Sequence, residues 1–110
     1  MKLPNRERAI IAPDKLTRYV LNIEHERGGN KARLLAEFGY NQDNWRQLDA
    51  DIRQYHLNAD IEAERRTSYG LRYEIRAPLQ TPDGRTPTLR TIWQIDAGAD
   101  VPRLITLVPD

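Results

Sequence analysis

The fold of this chain is decided by the stretch Leu71-Arg72-Tyr73-Glu74-Ile75-Arg76-Ala77-Pro78-Leu79-Gln80. Apolar and polar residues alternate along it, which is typical of a β-strand with one buried and one solvated face. Residues 81–85, TPDGR, are typical of a turn, because proline fixes one corner and glycine accepts a positive φ. A second alternating segment, residues 88–96, follows that turn. The pattern therefore predicts two antiparallel strands, each with one apolar face.

Three further segments extend this pair of strands. Residues 97–100, AGAD, predict another turn, and residues 103–108 predict a final strand. Residues 9–12, AIIA, are short and apolar, which is typical of an edge strand or an extended lead-in. We therefore expect a small antiparallel sheet of three to four strands connected as a meander.

The first half of the chain predicts three helices. Asp14 is expected to cap a first helix, whose core residues are Leu16, Tyr19 and Val20. Asn30 is expected to cap a second helix through Phe38, with Gly39 in the position of a helix-ending glycine. A third helix begins near Asp43, and its apolar stripe consists of Trp45, Leu48, Ile52 and Tyr55. This order predicts an α+β domain in which the N-terminal helices pack on one face of the sheet.

Length and composition limit the classes of protein to consider. At 110 residues the chain is expected to form a single domain, residues 1–110. The absence of cysteine excludes disulfides and thiol chemistry, and two histidines do not suggest a metal site or a cofactor. The formal net charge of +1 does not by itself indicate a nucleic-acid binder. No signal core is present and no apolar run approaches the ~20 residues of a membrane span, so a cytoplasmic location is expected.

Residues 21–33, LNIEHERGGNKAR, are the segment most typical of a functional site. One helix is expected to end there and another to begin, and loops held between rigid elements often carry chemistry. The segment combines an imidazole, an ammonium group and two guanidinium groups, carried by His25, Lys31, Arg27 and Arg33. The pair Gly28-Gly29 permits a sharp turn. A solvated loop without a function is the alternative interpretation.

A second basic cluster lies in the region of the predicted strands. It contains four arginines and one acid, which are Arg65, Arg66, Arg72, Arg76 and Glu74. A local basic patch matters more for binding a phosphate than the overall charge does. The alternatives are a solvated strand surface and a dimer contact. The sequence leaves the role of the Arg65-Arg66 pair and the oligomeric state open.

Positions over nearly the whole chain resemble a small bacterial domain family known only as a domain of unknown function. The most specific part is the run from Leu21 to Ala32, in which an Asn, a His, a Gly and a Lys-Ala pair keep the family's spacing. The other matching positions are Leu3-Pro4-Asn5, Lys15-Leu16, Tyr19, Tyr69-Gly70, Tyr73, Trp93, Pro102-Arg103-Leu104 and Thr106. Ile23 and Glu26 depart from the pattern, in which proline is commoner. Members of this family occur as free-standing proteins and as the last domain of large secreted polymorphic toxins.

The resemblance carries a functional implication. A terminal position in a toxin implies, by analogy, a toxic enzyme and most often a nuclease. Helices followed by a small antiparallel sheet are also similar to the barnase–EndoU–colicin–RelE group of ribonucleases. The implied activity is that of an RNA endonuclease of the toxin type, with RNA as substrate and an antitoxin or immunity protein as partner. An acidic partner is expected to dock on the basic loop.

Metal-independent RNA cleavage requires a base, an acid and a cation beside the phosphorane. His25 suits the acid or base, because histidine titrates near neutral pH, and Lys31 suits the cation, because the opening turn of a helix favours an anion. A further acid–base or orienting group has to come from the sheet. Tyr69, Thr91 and Thr106 are the candidates, and Thr91 is the one assigned to catalysis. The predicted substrate-binding residues are Arg27, Arg33, Tyr69 and Thr106.

The main alternative is a non-catalytic interaction module, such as the antitoxin or accessory half of a toxin system. In that case His25 and Lys31 stabilise the loop or bind a partner carboxylate; a purely structural domain is a third possibility. Trp93 and Tyr73 are interpreted as core residues, and His56 as a structural residue whose positive charge suits a helix C-terminus. Catalysis predicts that His25, Lys31 and a polar sheet residue converge, whereas the module predicts a His25 that points away from the sheet or meets a backbone carbonyl.

Overall fold

The computed structural model describes residues 1–27 and 29–109. Within them, one antiparallel sheet has the strand order β1-β2-β3-β4, which is a meander. Its strands are β1 Ala63–Thr67, β2 Gly70–Pro78, β3 Thr88–Asp96 and β4 Arg103–Pro109. Helices precede this sheet in the chain, and the predicted α+β fold is confirmed.

The two alternating segments form the central strands of the sheet. The register pairs Tyr73 with Trp93 and Ile75 with Thr91, and all four side chains are buried. Successive side chains on a strand project to opposite faces, so the residues between these four, such as Glu74, project from the other face. The sheet therefore has one face in the core and one face that carries charged residues.

Strand β1 was not predicted, because its sequence lacks an apolar face. Four of the five residues of Ala63–Thr67 are exposed, and three of them are the charged residues Glu64, Arg65 and Arg66. The strand lies at one edge of the sheet, beside β2. Charged side chains are common on edge strands because they discourage pairing with another chain.

Residues 9–12 form an extended lead-in that meets the opposite edge of the sheet. The Ile10 N–H donates to Pro102 O at 2.9 Å, and the Leu104 N–H donates to Ile10 O at 2.9 Å. The resulting bridge pairs Ile10 with Arg103 in parallel. The segment therefore lies beside the first residues of β4.

The helices lie in the first half of the chain, as predicted. The first is Lys15–Val20, in which the hydrogen bonds have π-helical spacing, and the second is α1, Gly29–Glu37. The third combines the short turn Gln42–Asn44 with α2, Trp45–Asp51, and the π-helical end Ile52–His56. A further short turn is Arg6–Arg8.

The helices pack on the apolar face of the sheet. Their buried residues in the common core are Leu16, Val20, Leu35, Leu48 and Ile52, which join Tyr73, Ile75, Leu89 and Trp93 of the strands. Trp45 and Tyr55 pack against this core and remain partly accessible. The predicted stripe on the third helix is therefore confirmed, and so is the packing of the helices on one sheet face.

Two predicted helix caps are wrong. Asp14 already has helical dihedral angles, φ −63° and ψ −30°, and its side chain accepts no capping hydrogen bond. Its carboxylate lies 3.8 Å from the guanidinium group of Arg18 instead. Asn30 lies inside α1, because the Gly29 N–H already donates to His25 O at 2.9 Å and so begins the helix one residue earlier.

The predicted end of α1 at Gly39 is confirmed. Gly39 has a φ of 102°, which is the left-handed conformation that glycine adopts readily. Its N–H donates to Ala36 O at 3.0 Å, and the Tyr40 N–H donates to Leu35 O at 3.0 Å. This pair of bonds is a Schellman motif. Gly28, part of the predicted turn before α1, lies outside the described residues.

His56 lies in the core. Its Nδ1 is 2.8 Å from Thr91 Oγ1, and its Nε2 is 3.0 Å from Ala77 O. Burial lowers the pKa of His56 to about 4, against the opposing effect of the Ala77 hydrogen bond. The imidazole is therefore neutral at physiological pH. The prediction of a positive charge at this helix end is wrong.

Candidate active site

The loop before α1 is held by its own backbone. The His25 N–H donates to Asn22 O at 3.0 Å, and the Glu24 N–H donates to Asn22 Oδ1 at 3.0 Å. Asparagine favours such turns because its side chain mimics a backbone acceptor. A Cβ atom on Gly29 would lie 2.6 Å from Ile23 O, which is too close for any other residue without a shift of the loop. The start of α1 and the loop are therefore fixed against each other.

Three polar side chains converge beside this loop. Lys31, in the first turn of α1, donates from Nζ to Tyr19 Oη at 3.0 Å and to Thr106 Oγ1 at 3.2 Å. Tyr19 comes from the helix Lys15–Val20, and Thr106 comes from edge strand β4. All three residues are partly buried, so the group is close to the surface. We call it the Tyr19–Lys31–Thr106 cluster.

The electrostatics of this cluster favour negative charge on the phenol. The hydrogen bond from Lys31 lowers the pKa of Tyr19 below its usual value of 10.0, and a hydrogen bond with Thr106 acts in the same direction. Partial burial opposes these effects, and the charges of Lys31 and Lys15 add to them. The Lys15 ammonium group lies 5.4 Å from the centre of the Tyr19 ring. The Tyr19 phenol therefore gives up its proton more readily than that of an ordinary tyrosine.

His25 borders the cluster through its ring. The centres of the His25 and Tyr19 rings are 4.8 Å apart, and the rings meet edge to face at 79°. The Arg27 N–H donates to His25 Nδ1 at 3.0 Å. An acceptor Nδ1 assigns the proton of the neutral ring to Nε2. The bond to Arg27 thus fixes both the orientation and the tautomer of the imidazole.

A surface groove of about 440 Å³ opens at the loop. His25, Arg27, Asn30 and Arg33 are among its lining residues. Arg33 donates from Nη1 to Asn30 Oδ1 at 3.4 Å, and both arginines are exposed. The groove therefore combines an imidazole, two guanidinium groups and the first turn of a helix, which favour a bound anion, with the carboxylates of Glu24 and Glu26, which oppose it. We call it the His25 groove.

The structure brings together five of the seven predicted site residues and leaves the other two elsewhere. Lys31 contacts Thr106, while His25, Arg27 and Arg33 line the groove next to them. His25 also borders the polar cluster, which is the convergence predicted for catalysis.

Thr91 lies in the core, away from this convergence. Its hydroxyl accepts a hydrogen bond from Trp93 Nε1 at 2.9 Å and is bonded to His56, and the residue is fully buried. The register pairs Thr91 with Leu107, whereas Thr106 is opposite Ile92, the residue next to Thr91. Thr91 and Thr106 therefore belong to opposite sheet faces. The geometry gives Thr91 a structural role and does not support the predicted catalytic one.

Tyr69 lies in the turn between β1 and β2 and is 75% exposed. The register and the strand spacing place it roughly 20 Å from Thr106. It does not line the His25 groove. Any contact that Tyr69 makes with a substrate therefore lies outside the polar cluster.

Sequence reasoning missed Tyr19 as a member of the site. Its helical spacing with Leu16 and Val20 predicted a core residue, but only those two are fully buried. Tyrosine combines an apolar ring with a polar tip, so burial of the ring does not exclude a functional hydroxyl. The signal that was available is its place among the positions that match the family.

Among residues 1–27 and 29–109, no group of three or more His, Cys, Asp or Glu side chains is arranged to hold a metal ion. No helix in the same ranges is long and apolar enough to span a membrane.

Comparisons with known proteins agree with the fold. Residues 2–110 match the model of the family described as "Domain of unknown function (DUF6883)", which confirms the family resemblance seen in the sequence. No curated protein gives a significant match. A solved chain of a contact-dependent growth inhibition toxin–immunity protein complex from Klebsiella pneumoniae 342 is similar, with a TM-score of 0.69 and 15% identity. The match covers 92% of this chain and 99% of that chain, and at this identity it establishes a shared fold.

Proposed function

Because the chain belongs to the DUF6883 family of unknown function, its activity has to be argued from its own residues, and we propose that it is a metal-independent ribonuclease of the toxin type. The observation that carries this proposal is the position of Lys31 Nζ, within hydrogen-bond distance of Tyr19 Oη and Thr106 Oγ1. His25 packs against the same Tyr19 ring. Such a group offers a cation, a proton acceptor and an imidazole in one place.

The reaction that fits these groups is internal transesterification of RNA. A base takes the proton of a 2′-hydroxyl, the 2′-oxygen attacks phosphorus, and the bond to the 5′-oxygen breaks as an acid protonates that oxygen. The products are a 2′,3′-cyclic phosphate and a 5′-hydroxyl. Negative charge that develops on the phosphorane is stabilised by a fixed cation nearby.

We assign one role to each residue. Tyr19 accepts the 2′-hydroxyl proton, because Lys31 lowers the pKa of its phenol. Lys31 stabilises the phosphorane, and Thr106 orients the ammonium group. His25, whose Nδ1 accepts the Arg27 N–H, donates the proton on Nε2 to the 5′-oxygen. Arg27 and Arg33 bind phosphates of the RNA in the His25 groove.

The fold match supports the toxin assignment by analogy. A chain of a toxin–immunity protein complex has the same fold over almost its full length. An immunity or antitoxin protein is the corresponding partner for this chain, and the exposed Arg27 and Arg33 suit an acidic surface on it.

The interaction module remains the second candidate, because the similar chain comes from a complex that contains both an immunity protein and a toxin. Under this alternative the cluster only stabilises the loop. The two candidates differ in the effect of the chain on a host cell, since only the ribonuclease arrests growth.

Induced expression in bacterial cells tests the proposal. We expect growth arrest by the wild type and relief by His25→Ala and Lys31→Ala, with all proteins folded. Arg46→Ala is the matched control, because Arg46 is an exposed arginine that stacks on Trp45 at 4.6 Å, outside the groove. Purified wild type should also cut RNA in the presence of EDTA and leave 2′,3′-cyclic phosphate ends. Harmless expression of folded wild type, with intact RNA, would favour the interaction module.

A further inference from the structure

The charged face of the sheet carries a row of arginines that the proposed active site does not use. The register places Arg65 opposite Arg72, Arg72 opposite Gln94, and Gln94 opposite Arg103. Residues opposite each other project from the same face, so these four side chains form one line across all four strands of the described sheet. We call Arg65, Arg72 and Arg103, with Gln94 between them, the arginine row.

The charges in this row are unevenly neutralised. Arg103 donates to Asp96 from Nε at 2.8 Å and from Nη2 at 3.1 Å, which is a two-bond ion pair. Arg72 donates from Nη2 only to the neutral Gln94, at 2.9 Å. In the described part of the chain, no carboxylate lies within ion-pair distance of Arg65 or Arg72. The positive charges of these two adjacent guanidinium groups are therefore not neutralised by a carboxylate.

This pairing is unfavourable for the isolated domain. Like charges directly opposite on neighbouring strands destabilise a sheet. The Nε atom of Arg72 is also buried and lacks a hydrogen-bond partner among the described residues. A bound anion would offset the repulsion between the two arginines, because a phosphate accepts two parallel hydrogen bonds from a guanidinium group.

The row is continuous with the proposed active site. Arg103 lies three residues before Thr106 on β4, which is about 10 Å or less along a strand. From there the row crosses the sheet to β1 over three strand spacings, roughly 14 Å. A polyanion with one phosphate at Lys31 can therefore extend over the arginines.

An exposed aromatic ring lies at the far end of this path. Tyr69 is 75% exposed although its backbone is fixed: its N–H donates to Thr67 Oγ1 at 3.1 Å, and its carbonyl accepts from the Ala97 N–H at 2.8 Å. An aromatic side chain beside unpaired arginines is typical of surfaces that bind single-stranded nucleic acid, where bases stack on the ring. An acidic protein surface would use the arginines but has no need of the ring.

We infer that the arginine row and Tyr69 form an extended binding surface for single-stranded RNA, which holds the substrate outside the cleavage site. The inference rests on the proposed ribonuclease function and describes how the RNA substrate is oriented. Arg65 and Arg72 bind phosphates, and Tyr69 stacks on a base. Arg103 supports the row through Asp96.

Fluorescence anisotropy with a short fluorescein-labelled single-stranded RNA of mixed sequence tests the inference. His25→Ala serves as the background, so that the RNA is not cut. We expect Arg65→Gln and Arg72→Gln each to raise Kd about tenfold and to reduce the slope of log Kd against log salt by about 0.7. Tyr69→Ala should raise Kd by a similar factor with an unchanged slope, because stacking releases no counterions.

Two controls keep the result interpretable. Arg46→Gln removes an exposed arginine from α2 and should leave Kd unchanged. Because Arg72 is half-buried, circular dichroism checks its fold, and the exposed Arg65 supplies an independent variant. Unchanged RNA affinity in Arg65→Gln and in folded Arg72→Gln would overturn the inference.

Cleavage separates failure of the inference from failure of the proposed function. Wild type that cuts RNA, with an arginine row that does not affect Kd, overturns the inference alone. Row-dependent RNA binding by a wild type that never cuts RNA overturns the ribonuclease alone. If poly-L-glutamate competes as well as RNA and Tyr69→Ala has no effect, the surface fits an acidic protein and the inference is wrong.

Discussion

At the scale of single residues, the position of a hydroxyl decides its role. The alternation that predicts β3 already places Thr91 on the same face as Trp93, and the structure buries both. Assigning Thr91 to catalysis therefore conflicted with the fold prediction made from the same residues. Thr106 lies on an edge strand and reaches Lys31, which depends on how β4 meets α1. That contact is long-range, so no local pattern indicates it.

Removal of one oxygen atom tests the role of Tyr19. Tyr19→Phe keeps the ring contact with His25 but removes the acceptor of the Lys31 hydrogen bond. We expect RNA cleavage to slow by about 100-fold or more, the usual effect of losing an acid–base group, with little change in stability. Initial rates on labelled RNA measure this. Tyr55→Phe is the control, because its hydroxyl bonds Gln80 at 2.9 Å in another part of the molecule. Equal rates for both variants would exclude Tyr19 as the base.

The ionisation of Tyr19 provides a second, activity-independent test. Because the Lys31 hydrogen bond is the largest effect that lowers the pKa of Tyr19, Lys31→Met should raise that pKa. The ultraviolet titration of each protein, minus that of its Tyr19→Phe counterpart, isolates this phenol. In wild type it should ionise at a lower pH than in Lys31→Met. Identical midpoints would show that Lys31 does not act on the phenol.

At the scale of elements, predictions succeeded where burial is local and periodic. The limits of β3, residues 88–96, are those predicted, because four apolar-face residues alternate with polar ones. β1 escaped prediction because an edge strand of charged residues has no such alternation. The start of α1 differs from the prediction. The backbone carbonyl of His25, rather than the side chain of Asn30, accepts the hydrogen bond from the first N–H of the helix. A backbone acceptor leaves no trace in the sequence.

The end of α1 yields a stability prediction. Gly39→Ala puts a Cβ on a residue with a φ of 102°, and that atom would lie 2.9 Å from Pro82 Cβ. We expect a loss of free energy of unfolding of about 3 kcal/mol, above the roughly 1–2 kcal/mol of the left-handed conformation alone, because the proline crowds the added carbon. Gly98→Ala is the control: its φ is 82°, but no atom lies within 4 Å of the added carbon. Urea denaturation measures both. A larger loss in Gly98→Ala would contradict the importance of the Pro82 contact.

At the scale of the whole molecule, the two faces of the sheet have different roles. Helices cover the apolar face around Trp93 and His56, and the charged face carries the arginine row. The Tyr19–Lys31–Thr106 cluster lies at the β4 edge, between the two. Two helices therefore supply Tyr19 and Lys31, while the sheet supplies Thr106 and the row. The site forms only where several elements pack together. The sequence therefore indicated the loop residues of the site but not the complete set.

The neutral His56 at the centre of the core predicts how the whole domain responds to acid. The unfolded chain binds a proton on this residue below its ordinary pKa of 6.5, whereas the folded protein resists protonation down to about 4. The contribution of His56 to stability is therefore complete above pH 6.5 and is lost as the pH falls toward 4. At 1.36 kcal/mol per pKa unit, the loss is about 3 kcal/mol.

The pH dependence of the unfolding free energy, measured with urea between pH 4 and 7.5, tests this expectation. His56→Gln is the matched variant, because an amide can still donate to Ala77 O and accept from Thr91 but does not titrate. It should be less stable than wild type at pH 7.5, since its shape differs, yet lose less stability on acidification. The carboxylates Asp60, Asp83 and Asp96 have pKa values lowered from 3.8, so they lose their stabilising effect in a more acidic range. Parallel curves for wild type and His56→Gln between pH 6.5 and 4 would therefore show that protonation of His56 does not limit the acid stability of the fold.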